Sequence, residues 1–362
     1  MPVAGWEGMD PVNRNMTRFV GALAAAIALT TLGLPGAGAA SNAPTGPPGL
    51  GASVPDGFLN AVAATSAANA WAVGGNGAGK NLILHWNGRA WTRVPSPSPP
   101  GSVLSGVAAT SATNAWAVGS VILHWNGTAW KRVASPVPAQ GGLSSVAATS
   151  ARDVWAAGGN GAGKTLILHW NGRAWTRVPS PSPPGSVLSG VAATSATNAW
   201  AVGYTGAGRT LILHWNGRAW KRVPSPSPVP SDFLFGVAAT SAGNAWAVGQ
   251  IHIFKTLILR WNGRAWKQVP NPNPRPENAL QGVAATSARN AWAVGSLIVR
   301  WNGRAWKQVG GVPPGPLLGV AATSVSNAWA VGFTQPSHDV VKVLILHWNG
   351  TVWKTVTMSP AR

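Results

Sequence analysis

The sequence predicts an all-β fold, a seven-bladed β-propeller with four antiparallel strands per blade. Three observations carry this. All but one of the 22 tryptophans, Trp6 being the exception, fall into seven sets of three. The first of each set (Trp71, Trp116, Trp155, Trp200, Trp246, Trp292, Trp329) recurs every 37 to 46 residues, the length of a four-stranded blade. Each set also frames the same apolar hairpin, whose first copy is Leu82-Ile83-Leu84-His85-Trp86-Asn87-Gly88-Arg89-Ala90-Trp91. An open solenoid of stacked hairpins is the rival arrangement. Seven repeats favour closure, and the seventh carries no polar cap.

Taken in order, strand a of the first repeat is Ala61-Val62-Ala63-Ala64-Thr65, whose small side chains suit the crowded wall of a central channel. A turn over Ser66 to Asn69 leads to strand b, Ala70-Trp71-Ala72-Val73, and a loop of variable length leads to the hairpin of strands c and d. Asn87-Gly88 predicts a two-residue turn with positive φ at both central positions. That register sets Trp86 opposite Arg89 and Leu84 opposite Trp91. It also lays the Arg89 guanidinium over the Trp86 ring, a contact worth about 0.5–1 kcal/mol. The stretch Pro95 to Pro100 carries the chain to the next blade. Burying about 150–250 Å² per tryptophan contributes roughly 4–6 kcal/mol of gross apolar transfer at about 25 cal/mol/Å². Such a scaffold holds together without the disulfides that a chain with no cysteine cannot form.

Residues 1–40 read as an export signal: Arg14 and Arg18 flank Met16, Phe19 to Leu34 is apolar, and Ala37-Gly38-Ala39 is a small-residue cleavage pattern. Residues 41–58 read as a linker rich in Pro, Gly and Ser, and residues 59–362 as the propeller. The expected location is extracellular, with no membrane span in the mature chain and a monomeric ring.

Trp-Ala-Val-Gly, then Leu-Ile-Leu-His-Trp-Asn-Gly-x-x-Trp, then Val-Pro-x-Pro resemble the Trp-rich tandem repeats of secreted actinobacterial propeller proteins. The register is also similar to kelch repeats. Gly88-Arg89-Ala90-Trp91 is similar to the end of the Asp-box of sialidase-like propellers, with Trp86 at the position of the box's aspartate. The resemblance spans Leu59 to Val356 and implies the fold; it implies no particular activity, because such folds host many. Gly74 to Gly119 matches Gly158 to Gly203 at every position except Asn81 against Thr165, the mark of a duplicated two-blade unit.

The formal charge is +20, and only seven residues are acidic. After the signal the acids are Asp56, Asp153, Asp232, Glu277 and Asp339, spread around the ring, so no carboxylate pair for acid–base catalysis is evident. Asp153 stands where the other repeats place Asn69, Asn114, Asn198, Asn244, Asn290 and Asn327, which marks a turn residue. One tyrosine, Tyr204, and no cysteine argue against sialidase-type and copper-oxidase sites. Gly158 to Thr165 spells a phosphate-loop pattern, but a strand rather than a helix follows, so nucleotide binding is not expected. His85, His124, His169, His214 and His347 precede the second tryptophan, with Arg260 and Arg300 in repeats five and six. One histidine per blade is too dispersed to ligate a metal, and these side chains are expected to hydrogen-bond between blades. No metal or cofactor is expected.

Basic residues repeat on strand d and its turn, among them Arg89, Arg93, Arg173, Arg177, Lys221 and Lys307. They form a rim girdle that either guards a free sheet edge or attracts a polyanion. The variable b–c loops are expected on one face with the Pro-rich d–a links. They offer Lys80, Lys164, Tyr204, Arg209, His252, Lys255, His338 and Asp339 as candidate binding residues. The expected function is a secreted, non-catalytic binding or adhesion module for a cell-wall polymer, an acidic glycan or a protein partner, nucleic acid being disfavoured. Two alternatives stay open: a hydrolase or lyase acting on acidic polysaccharide, and a purely structural surface protein.

Overall fold

The computed structural model describes residues 56–227, 230–251, 255–273, 278–311, 313–337 and 340–358. The stretch read as an export signal and most of the stretch read as a linker lie outside them. Seven four-stranded antiparallel sheets, each ordered a-b-c-d, form the propeller. In blade 1 the strands are a (Phe58–Ser66), b (Asn69–Gly75), c (Asn81–Trp86) and d (Trp91–Arg93). Blades 2 to 7 start at Leu104, Gly142, Val187, Phe233, Leu280 and Leu317.

The core is divided between blades, not within them. Trp71 of blade 1 meets Trp130 of blade 2 edge-on at 5.1 Å and Trp125 at 5.0 Å. The motif repeats around the ring to Trp329 of blade 7, which meets Trp91 of blade 1 at 5.2 Å. That contact, in one apolar cluster with Leu59, Leu84, Val331 and Ile345, closes the wheel and excludes the open solenoid. Blade 7 supplies all four of its own strands, and closure is reinforced where the Gly57 amide bonds Val341 O at 2.9 Å and Asp56 pairs with Lys342 at 2.7 Å. At the axis the strands nearly touch. A Cβ on Gly319 would lie 2.9 Å from Ala61 Cα, so glycine is what lets blades 7 and 1 meet.

The hairpin register differs from the two-residue expectation. Trp86 pairs with Trp91 and Leu84 with Arg93, which leaves Asn87 to Ala90 as a four-residue loop. Only Gly88 has positive φ, at 91°. Asn87 instead uses its side chain: Oδ1 accepts the Arg89 and Ala90 amides, both at 3.0 Å. An Asx turn has replaced the mirror-image turn that Asn-Gly also permits. Arg89 is therefore out in the loop, and the ring contact expected of it is made elsewhere, by Arg260 and Arg300. Each strand a also carries a bulge that the alternation of its side chains does not announce, falling at Asn60 in blade 1 and at Phe235 in blade 5.

Candidate functional site

The two faces of the wheel are built differently. On the face of the a–b and c–d turns, a hydrogen-bonded chain recurs in every blade. Asn69 donates to Thr65 Oγ1 at 2.7 Å and accepts from His85 Nε2 at 2.8 Å, while the His85 ring stacks on Trp71 at 4.1 Å. Because the amide oxygen is the acceptor, Nε2 carries the proton. Burial pushes the pKa values of His85, His124, His214 and His347 below the usual histidine value, so they are neutral in neutral solution. The expected bonds between blades are thus bonds within a blade. The exceptions are instructive. Arg300 keeps the bond to its blade's asparagine (Nη2 to Asn290 Oδ1, 3.0 Å), stacks over Trp292 at 4.9 Å, and also reaches Val325 O of blade 7 at 3.1 Å.

Blade 3 has Asp153 in place of the asparagine, 2.6 Å from His169 Nε2, and the Thr149 hydroxyl donates to the same carboxylate. Threonine, aspartate and histidine are present, but the hydroxyl meets the carboxylate and not the imidazole. His169 is therefore not placed to take the Thr149 proton, as nucleophilic catalysis requires.

The opposite face carries the b–c loops and d–a links. In blades 1, 3, 4 and 5 an amide at the start of strand c, on its first residue or in blade 5 on its second, is tied to the link: Asn81 N to Ser98 Oγ at 2.8 Å, Thr165 N to Ser182 Oγ at 2.9 Å, Thr210 N to Ser227 Oγ at 3.3 Å and Thr256 N to Asn273 Oδ1 at 3.2 Å. The glycine-rich loops of blades 1 and 3 close on an asparagine, Asn76 or Asn160, whose Oδ1 accepts the amide of Lys80 or Lys164. Strand c follows directly in the phosphate-loop look-alike, with no helix N-terminus to hold a phosphate.

Lys80, Lys164, Arg209 and Lys255 are all exposed just before or at the start of strand c, one in each of blades 1, 3, 4 and 5. Tyr204 is half-buried, edge-on to Phe233 at 5.0 Å, and burial raises its pKa. Arg209 is engaged, its Nη1 donating to Ser227 O at 2.7 Å. His252, His338 and Asp339 lie outside the described residues.

The loop and rim charges, separate in the sequence reading, meet in blade 3. A groove of about 360 Å³ is lined by Lys164 from the loop, Arg177 from strand d, and Thr165, Pro179, Ser180 and Ser182. The candidate set missed Arg177 and the two serines. Their signal was the Pro-Ser-Pro-Ser run after Arg93-Val94, Arg177-Val178 and Arg222-Val223. A second groove of about 460 Å³, between blades 6 and 7, has an apolar wall that includes Ile298, Val309, Trp348 and Trp353, and no charged residue lines it.

No protein-family model matches the chain, and no curated protein matches it. The fold is similar to that of solved structures. YCF48 from Cyanidioschyzon merolae aligns with a TM-score of 0.56 at 16% identity, over 80% of this chain and 95% of that one. YCF48 bound to D1 peptide gives 0.55 at 14%, over 80% and 97%. An Aleuria aurantia lectin mutant in complex with Fucα1-6GlcNAc gives 0.51 at 15%, over 84% and 98%. At these identities the likeness is one of architecture: the chain is a Trp-rich seven-bladed propeller with lectin and peptide-bound propellers among its structural neighbours.

Proposed function

We propose that the protein is a secreted, non-catalytic binding module that attaches to an anionic polymer, a cell-wall polymer or acidic glycan, through its loop-and-link face and rim. The observation that carries this is a charge imbalance with a geometry. Lysines and arginines stand exposed on the b–c loops and on strand d, where Lys131, Arg132, Arg177, Lys221 and Arg222 face solvent. The three described carboxylates are bonded internally: Asp56 to Lys342, Asp153 to His169 and Asp232 to Ser227. An excess of fixed positive charge on a rigid frame draws a polyanion and holds it in proportion to the counterions released. That propellers of this architecture occur in complex with a peptide and with a glycan is consistent with a binding role. Export follows from the basic and apolar pattern of residues 14–39.

Pull-down on cell-wall fractions and a glycan array, each at low and high salt, test the reading. Salt-sensitive retention on anionic polymers is expected, and no retention at any salt overturns it. Turnover of an acidic polysaccharide that Asp232→Ala abolishes would replace it with a hydrolase or lyase.

A further inference from the structure

The residues that line the blade 3 groove recur in other blades but are not equivalent there, and the difference points to particular sites. In blade 3, Lys164 and Arg177 line one groove, and neither side chain makes a hydrogen bond or ion pair among the described residues. Ser182 accepts the Thr165 amide, so its own proton is free to donate. Blade 1 repeats these residues with Lys80, Arg93, Ser96 and Ser98 in the duplicated sequence, and Ser98 accepts the Asn81 amide in the same way, with Ser102 Oγ as a second hydroxyl 3.3 Å from its own.

Blade 4 has the same residue types, Arg209, Arg222, Ser225 and Ser227, yet is satisfied internally. Asp232, fully buried, accepts the Ser227 hydroxyl at 3.1 Å, and Arg209 donates to Ser227 O. Blades 1 and 3 hold Ser102 and Ser186 at the position of Asp232. In blade 5, Gln268 replaces the strand-d arginine, and blades 2 and 6 lack the loop cation.

We propose that the blade 3 groove, and the equivalent residues of blade 1, each bind a tetrahedral oxyanion ester, sulfate or phosphate, carried on a polymer. This rests on the anionic-polymer reading and assigns it two sites. A tetrahedral oxyanion presents three or four acceptor oxygens. The groove answers with an ammonium, a planar guanidinium and a free hydroxyl from different directions, and none of the residues lining it is a carboxylate. A carboxylate offers two oxygens in one plane and leaves donors unmet.

The test is binding of the full chain to dextran sulfate, poly(glycerol phosphate) and polygalacturonate of matched charge density, across a salt series. One variant removes Lys80, Arg93, Lys164 and Arg177 to alanine. A control removes the exposed Arg152, Arg218, Arg264 and Arg289 of the turn face, which keeps the net charge of the two variants equal. Melting curves confirm that both fold. The groove variant should bind the sulfated or phosphorylated polymer at least about tenfold more weakly, with a shallower salt slope, and the control should stay within about twofold of the parent. The tighter of those two polymers identifies the source of the ester. Equal losses in both variants, or polygalacturonate bound as tightly as the esters, overturn the groove assignment and leave the anionic-polymer reading standing. A parent chain that binds none of the three overturns both.

Discussion

The turn face and the link face use the same strands and obey different rules. On the turn face every blade repeats one unit: threonine, asparagine or aspartate, histidine or arginine, and a tryptophan under the last. Substitution is allowed only where the newcomer is flat, donates to the asparagine oxygen and covers the indole. On the link face one requirement recurs in blades 1, 3, 4 and 5, an acceptor for an amide at the start of strand c, met by serine in blades 1, 3 and 4 and by Asn273 in blade 5. One face is a joint and must be the same each time. The other is free to vary, which is where specificity can be written.

The largest effect should come from breaking the joint at its indole. Trp200 is fully buried against Trp261 at 4.9 Å and Trp266 at 5.1 Å, both from the next blade. Trp200→Ala should cost about 3–5 kcal/mol in denaturant unfolding. A cost under about 1 kcal/mol would mean that the blades do not depend on each other through these rings. Next comes the axis. Gly319→Ala places a methyl 2.9 Å from Ala61 Cα and 3.0 Å from Asn60 O, both backbone atoms with little room to yield. A loss of about 1–3 kcal/mol is expected.

A smaller effect sharpens the rule for the joint. His214 stacks on Trp200 at 4.2 Å and bonds Asn198 at 2.8 Å, the role that Arg260 and Arg300 fill in their own blades. His214→Arg should therefore change stability at neutral pH by no more than about 1 kcal/mol. The pH profile should change more. In the parent, His85, His124, His214 and His347 have folded pKa values below 6.5 because burial disfavours the charged ring. The unfolded chain then binds protons that the folded chain refuses. Their contribution is complete above pH 6.5 and falls as the pH drops below 6.5 through each folded value. His214→Arg removes one of the four, so unfolding midpoints between pH 7 and pH 5 should decline less steeply than in the parent. An unchanged slope would remove His214 from the account.

The architecture was legible because its signals are redundant. Tryptophan spacing, the Asn-Gly loop and the small residues of strand a each specify the blade, and the ring follows from seven of them. The hairpin register was not, because Asn87-Gly88 suits two turns, and the choice is made by the Trp86–Trp91 pair and the Asn87 side chain, which act across the ladder. The histidines were readable as structural but not as partners of Asn69 and its equivalents. That pairing spans 16 residues in blade 1 and needs the alignment of strands b and c. Of the candidate site, the loop cations were visible one by one. Their meeting with strand-d arginines was not, since it depends on how the link folds back over strand c. The buried Asp232 that accepts the Ser227 hydroxyl in blade 4 looked like any loop acid.

The smallest stability change tests the freedom of the link face. Blade 2 passes from strand b to strand c through Ser120-Val121 alone, yet its sheet has the same four strands and its Trp116–Trp175 contact of 5.3 Å matches those elsewhere. The blade 3 loop runs from Asn160 to Lys164 and contributes one backbone bond to the next link, Ser186 N to Gly163 O at 3.0 Å. Replacing Asn160–Lys164 with Ser-Val removes that bond and shortens the closure, two small terms of opposite sign. The variant should unfold within about 1 kcal/mol of the parent. It should also lose the blade 3 share of anionic-polymer binding, because Lys164 goes with the loop. A large drop in stability would show that this loop braces the ring, and the division between a fixed joint and a variable face would then fail at the blade whose groove Lys164 and Arg177 line.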